Sequence, residues 1–119
     1  MMINKDRKLI ADYMNWSIVN VGTKKRPYVL YVDTINCNIH HHFDANSAST
    51  CAQEMQKRGG DYWHFYLVAE DLYRADEEGA YIHCNETESC AISRWLFNTD
   101  NFFTAMSQWI KEEKKRSEA

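Results

Sequence analysis

The sequence predicts one α+β domain with a mainly antiparallel sheet of about four strands. Its 119 residues suit a single domain, predicted to span residues 1–119, and a hydrophobic fraction of 45% is typical of a chain that folds around a core. Along the chain, apolar residues switch between helical spacing and a period of two, in the order αββαββαα. Two predicted hairpins make an antiparallel sheet the simplest topology.

The first third of the chain is predicted to form a helix and a hairpin. Apolar residues at helical spacing predict a helix over Asn4–Trp16, and the basic, glycine- and proline-containing segment 17–27 predicts a connection. Aromatic and β-branched residues then predict a strand at Tyr28–Val32. A second strand at Cys37–Phe43 would complete the hairpin.

The middle of the chain is predicted to contain a helix and two more strands. The helix is expected to open at Ser47 and to end at the pair Gly59-Gly60, which tolerates left-handed backbone. Strict alternation predicts strands at Tyr62–Val68 and Ala80–Cys84.

Two helices are predicted in the last third. Asn85 is expected to cap the first, with a strand at residues 90–97 as the alternative. The stripe from Phe102 to Ile110 predicts the final helix, capped by Asn98 or Thr99. Residues 111–119 lose that stripe and are predicted to fray.

The element order and several short motifs resemble the phage ABA sandwich domain, a family of small phage and prophage proteins. The similar segments are Leu9–Trp16, in which Asn15 replaces the family's usual glycine, Asp44–Gln56, Asp61–Phe65 and Thr87–Leu96. They span most of the chain, while the helix after residue 98 is an addition to the family pattern. The resemblance implies a layered α/β/α sandwich and a phage origin, and it brings no established activity or catalytic residues.

The pattern Tyr-x-His occurs twice, once in each of the later predicted strands. On paired strands it would place five side chains on one sheet face. This Tyr/His row consists of Tyr62, His64, Tyr66, Tyr81 and His83. Tyrosine and histidine offer stacking surfaces and hydrogen bonds, which predicts a ligand-binding surface. The alternative is that the row forms a second core layer beneath helices.

These features favour a non-enzymatic accessory protein that acts by stoichiometric binding and interferes with a host process such as antiviral defence. One predicted ligand is a nucleotide-type signal, stacked on the Tyr/His row with its phosphate neutralised by Lys24, Lys25 or Arg26. The other predicted partner is a host protein, bound through the aromatic surface or the last helix. That helix is also a predicted contact between copies in a homo-oligomer.

A metal-dependent hydrolase is the alternative from a different class. Cys37, His40, His83 and Cys84 are ligand types suited to zinc. On strands, however, residues 37 and 40 point to opposite faces, as do residues 83 and 84, so their convergence is disfavoured. The chain has no glycine-rich phosphate loop and no complete catalytic signature, and we predict no cofactor.

Composition limits the partners and the compartment. A net charge of −3 with dispersed cations disfavours binding to duplex nucleic acid. The sequence has no apolar stretch long enough for a membrane span, so the predicted location is the host cytoplasm, where the four cysteines are expected to be free thiols.

Overall fold

The structure, a computed structural model, describes residues 4–35, 37–40, 43–58, 62–77 and 79–118. These residues form five helices and three strands. In chain order they are α1 (Asn4–Met14), β1 (Ser17–Asn20), β2 (Val29–Asp33), β3 (Asn38–His40), α2 (Ala45–Lys57), α3 (Tyr62–Ala75), α4 (Glu88–Leu96) and α5 (Thr99–Glu118). The α+β class and an antiparallel sheet are thereby confirmed, whereas the four-strand arrangement is not.

The sheet has the order β1-β2-β3, with both neighbouring pairs antiparallel. The predicted hairpin of β2 and β3 is confirmed, with β3 beginning at Asn38 and not at the predicted Cys37, while residues 41–42 of the predicted strand lie outside the described residues. Strand β1 lies in the segment predicted as a connection, because a four-residue strand beside a basic loop gives too short an alternation to recognise. Ile18 pairs with Tyr31, which pairs with His40, so these three side chains share one face of the sheet. We call it the inner face.

Both later strands were predicted wrongly. Residues 62–68 are the first half of helix α3, and residues 80–84 have no regular secondary structure. The helix buries Phe65, Val68, Ala69 and Tyr73, whose spacing of three, one and four residues is helical. The alternation of Trp63, Phe65 and Leu67 therefore does not reflect a buried sheet face, since Trp63 and Leu67 are exposed.

The core lies between the inner face and the helices. Its largest fully buried side chains include Ile10, Ile92, Phe103 and Met106. Phe43 joins the two layers, since its ring centroid lies 4.8 Å from that of Tyr31 and 5.0 Å from that of Phe103. Within the described ranges, helices pack on the inner face only, so the second helical layer of an α/β/α sandwich is not formed there.

Several helix ends differ from the predicted ones. Helix α2 begins at Ala45 and not at the predicted Ser47, because Asp44 caps it by accepting the backbone N–H of Ser47. Thr87, rather than Asn85, caps α4, which is a helix and not the alternative strand. Of the two predicted caps of α5, Asn98 is the one observed, with its side chain accepting from Asp100 N–H. Helix α5 continues to Glu118, and the predicted stop at residues 59–60 lies outside the described residues.

Candidate protein-binding surface

The face of the sheet opposite the core is apolar, and no helix of the described residues packs on it. Because side chains alternate along a strand, the register places one set of residues together on it. This outer face consists of Val19, Val21, Tyr28, Leu30, Val32 and Ile39, with Ser17 as a polar residue at its margin. Val19 is 41% exposed, and Val21 and Ile39 are each 55% exposed. None of the six belongs to the core or to the partly buried residues packed against it.

An apolar outer face is unusual for a sheet of this kind. An antiparallel sheet with helices on one side normally alternates apolar and polar residues, so that the other face meets water with polar groups. Here β2 carries Val29 and Tyr31 on its inner face and Leu30 and Val32 on its outer face. Such a strand has the composition of one that is covered on both sides.

A basic loop borders one end of the outer face. Lys24, Lys25 and Arg26 lie between β1 and β2, and none of them forms an ion pair with a described residue. The loop has a defined backbone, because Arg26 N–H donates to Thr23 Oγ1 at 3.1 Å. A Cβ at Gly22 would come within 2.3 Å of the Arg26 carbonyl oxygen, so only glycine fits there. The loop therefore has a defined backbone and carries three cations that no described residue neutralises.

Strand β1 is also an open edge of the sheet. Among the residues that the structure describes, it pairs with β2 alone, and all four of its residues are exposed. Its sequence, Ser-Ile-Val-Asn, contains no lysine or proline, the residues that commonly prevent a further strand from adding to an edge. This edge enlarges the surface that the outer face offers to a partner.

The predicted Tyr/His row is not a sheet face. His64 and Tyr66 lie on helix α3, while Tyr81 and His83 lie in the connection between α3 and α4, so the four side chains do not share a sheet face. The side chain of Tyr62 lies outside the described residues. The Lys24–Arg26 loop borders β1 and β2 and not this row, which separates the predicted phosphate contacts from the predicted stacking surface.

His64 links helix α3 to helix α5. Its Nδ1 lies 2.7 Å from a carboxylate oxygen of Glu113, and its Nε2 lies 3.0 Å from one of Glu112. Arg116 contacts the same Glu113 carboxylate at 3.2 Å. Both ring nitrogens are therefore occupied by contacts that join the two helices, which is a structural role.

Tyr81 and His83 are held by a network around Arg94. The Arg94 guanidinium contacts both oxygens of Glu86, donates to the Tyr81 carbonyl at 2.7 Å and lies 4.5 Å from the Tyr81 ring centroid. Glu86 also accepts the His83 N–H at 3.1 Å. The hydrogen bonds from Arg94, followed by that from His83, lower the pKa of Glu86 to about 2. This network fixes the loop that precedes α4.

His40, Ser47 and Asp44 form a chain of contacts that is not a catalytic triad. His40 Nδ1 lies 2.9 Å from Ser47 Oγ, and that hydroxyl donates to Asp44 at 3.2 Å. In a hydrolase triad the histidine lies between the serine and the acid, whereas here the serine is in the middle. Ser47 is fully buried, and the His40 ring stacks on Trp16 at 4.2 Å. The arrangement fastens β3 to α2.

The alternative metal ligands do not converge. Within the described ranges, no three histidine, cysteine, aspartate or glutamate residues lie together as metal ligands, so Cys37, His40, His83 and Cys84 form no such group. Cys37, Cys84 and Cys90 are exposed free thiols, while burial raises the pKa of the Cys51 thiol to about 12.

Comparison with known protein families, curated proteins and solved structures finds no match to this chain. Among the described residues, none of the helices combines the length and the apolar character needed to cross a membrane.

Sequence reasoning found the basic loop but missed the outer face beside it. The signal was present in Tyr28–Val32, a run of five residues without a polar position apart from the tyrosine hydroxyls. A strand that is apolar on both faces predicts two covering layers, and the described residues form one of them.

Proposed function

We propose that this chain acts by stoichiometric binding and that its outer face receives one amphipathic helix of a partner protein. The observation that carries the proposal is a set of six apolar residues on an ordered sheet face on which no described helix packs. Contiguous exposed apolar surface on a folded domain marks a site of interaction.

The dimensions of the outer face suit one helix. Three strands about 4.8 Å apart give a face about 10–14 Å wide, and a helix with its side chains is about 10–12 Å in diameter. The four to five residues of β1 and β2 extend about 15 Å, the length of about ten helical residues. One partner helix of about three turns would cover the outer face.

The charge beside the outer face selects an acidic partner. Lys24, Lys25 and Arg26 have no carboxylate partner among the described residues, so a partner with acidic side chains at one end of its helix would neutralise them. The carbonyl end of a helix carries partial negative charge and suits the same loop. A second copy of this chain would bring the same cations and no acidic residue on its outer face.

The resemblance to the phage ABA sandwich domain supports a wider form of this proposal. In this wider proposal, the chain is a phage accessory protein that binds a host protein in the host cytoplasm and interferes with a process such as antiviral defence. The partner helix would supply the second helical layer of the α/β/α architecture. This function uses no catalytic residue and no cofactor.

Site-specific photo-crosslinking in the cells that produce the chain tests the proposal. A benzoylphenylalanine placed at Leu30, in the centre of the outer face, should give one adduct with a partner protein at a 1:1 ratio. Mapping should place the attachment on a helix of that partner with an apolar stripe and acidic residues at one end. The same probe at Lys57, an exposed position on α2, is the matched control and should give no adduct.

A charge placed on the outer face distinguishes specific binding from incidental capture. Ile39→Glu should abolish the adduct from position 30 while the circular dichroism spectrum stays unchanged, because Ile39 is exposed. Equal labelling from positions 30 and 57, or an adduct that survives Ile39→Glu, would contradict the proposal. An adduct with the mass of two copies of this chain would show that the outer face binds a second copy and not a helix of another protein.

A further inference from the structure

A second concave site lies on the other side of the sheet, between α1 and the β1–β2 hairpin. This cleft has a volume of about 410 Å³, within the range of about 300–1,000 Å³ that small-molecule sites occupy. Its lining residues are Arg7, Lys8, Ile18, Pro27, Tyr28, Val29 and Tyr31. Apart from Tyr28, which borders both surfaces, none of them belongs to the outer face.

The two cations of the cleft are not neutralised by described residues. Neither Arg7 nor Lys8 forms an ion pair or a side-chain hydrogen bond within the described part of the chain, and Nε of Arg7 is buried without a partner. The neighbouring Asp6 instead pairs with Lys111 of α5 at 3.0 Å. The local positive charge is thus available to a ligand.

The position of these cations on α1 is unfavourable without a bound anion. Both lie within the first five residues of the helix, where the helix dipole favours negative groups and disfavours cations. A guanidinium with a buried Nε–H also has an unmet hydrogen bond, which costs free energy. An anion held between Arg7 and Lys8 would relieve both conditions.

The opposite wall of the cleft is aromatic and apolar. Tyr31 is buried and is close enough to Arg7 for the guanidinium charge to act on the pKa of its phenol, although burial is the larger influence and raises that pKa. Tyr28 and Pro27 continue this wall toward the basic loop. Tyrosine faces stack on flat rings, and arginine binds phosphate through two parallel hydrogen bonds.

From this combination we infer that the cleft between α1 and the β1–β2 hairpin binds a small phosphate monoester that carries an aromatic ring. Arg7 and Lys8 bind the phosphate, and Tyr28 and Tyr31 contact the ring. This site shares Tyr28 with the outer face, but its two cations lie on α1 and Ile18, Val29 and Tyr31 lie on the inner face, so substitutions at Arg7 and Lys8 test it separately from the binding of a partner helix.

Titration of the ¹⁵N-labelled full chain with adenosine monophosphate tests the inference. Backbone amide signals of residues 7–8 and 28–31 should shift together and saturate. Inorganic phosphate and adenosine, each lacking one half of the probe, should bind at least about tenfold more weakly, because each loses either the charged hydrogen bonds or the stacked ring. Phenyl phosphate should retain binding, since it carries both.

Substitutions assign the two halves of the site. Arg7→Gln/Lys8→Gln should weaken adenosine monophosphate binding by about tenfold or more, whereas Lys57→Gln/Lys115→Gln removes the same charge elsewhere and should leave it unchanged. Arg7→Lys keeps the charge but loses the two-pronged contact, so its affinity should fall between those of the wild type and the double variant. If the double variant does not fold, the exposed single change Lys8→Glu replaces it.

The absence of shifts at millimolar adenosine monophosphate would overturn the inference. So would equal affinity for inorganic phosphate, which would show a simple anion site, or equal loss in the Lys57/Lys115 control, which would show binding by net charge.

Discussion

The helical part of the molecule and its sheet use apolar residues differently. Helices α1, α3, α4 and α5 turn their apolar stripes inward, so that Ile10, Ile92 and Phe103 are fully buried. The sheet buries Tyr31 on its inner face and leaves Ile39 exposed on its outer face. Apolar residues therefore stabilise the fold in one region, while in the other they form a surface that the described chain does not cover. Substitutions that separate stability from binding test this difference.

The largest expected effect is that of Phe103→Ala. Phe103 is fully buried and packs on Phe43, so truncation should lower the free energy of unfolding by about 3–5 kcal/mol. Phe97→Ala is the matched control, because Phe97 is 85% exposed and should change that free energy by no more than about 0.5 kcal/mol. Urea unfolding followed by tryptophan fluorescence measures both. Equal losses would contradict the assigned core.

Asp44→Ala should have an intermediate effect at the junction of the two regions. Asp44 accepts the N–H of Ser47 at 3.0 Å and thereby caps α2, and loss of such a cap costs about 1 kcal/mol. Asp12→Ala removes another exposed aspartate, which lies in the last turn of α1 where the helix dipole disfavours a negative charge, and should leave the free energy of unfolding nearly unchanged or slightly higher. If Asp12→Ala costs as much, the capping contact does not stabilise α2.

The Glu86–Arg94 network should give a smaller effect that depends on pH. The folded-state pKa of Glu86 is lowered to about 2 from an ordinary value of 4.5, so its contribution is fully present above about pH 4.5 and is lost as pH falls toward 2. In Glu86→Gln, the loss of unfolding free energy that Glu86 causes below about pH 4.5 should disappear. Glu77→Gln changes an exposed loop position and should keep that loss. Unfolding curves at pH 7, 4.5 and 3 measure the difference. If the free energy of unfolding falls equally steeply with pH in the wild type, Glu86→Gln and Glu77→Gln, the pH-dependent stabilisation does not come from Glu86.

The parts of the fold that could be predicted are those with long, unambiguous periodicity. Helix α5 carries a stripe from Phe102 to Ile110, and the β2–β3 hairpin follows from two adjacent runs. Helix α3 was assigned as a strand because alternation over seven residues outweighed the longer spacing of Phe65, Val68 and Tyr73. That spacing becomes visible only when the window extends past residue 70.

The candidate site was only partly predictable for a related reason. The Lys24–Arg26 loop was identified as a binding element, but its neighbours depend on β1, which is too short to recognise from sequence. The Tyr/His row depended on two strands that the structure does not contain. The outer face depends on register, since Leu30 and Ile39 become neighbours of Val19 and Val32 only when three strands pair.

The central claim is that the outer face serves binding and is not needed for folding. The double variant Val19→Thr/Ile39→Thr keeps β-branched side chains and removes two apolar groups from this face. The most direct measurement is its free energy of unfolding, recorded together with the crosslinking yield from position 30. We predict a change of no more than about 0.5 kcal/mol per site and loss of the partner adduct. A fall of several kcal/mol, or an undiminished adduct, would contradict the account.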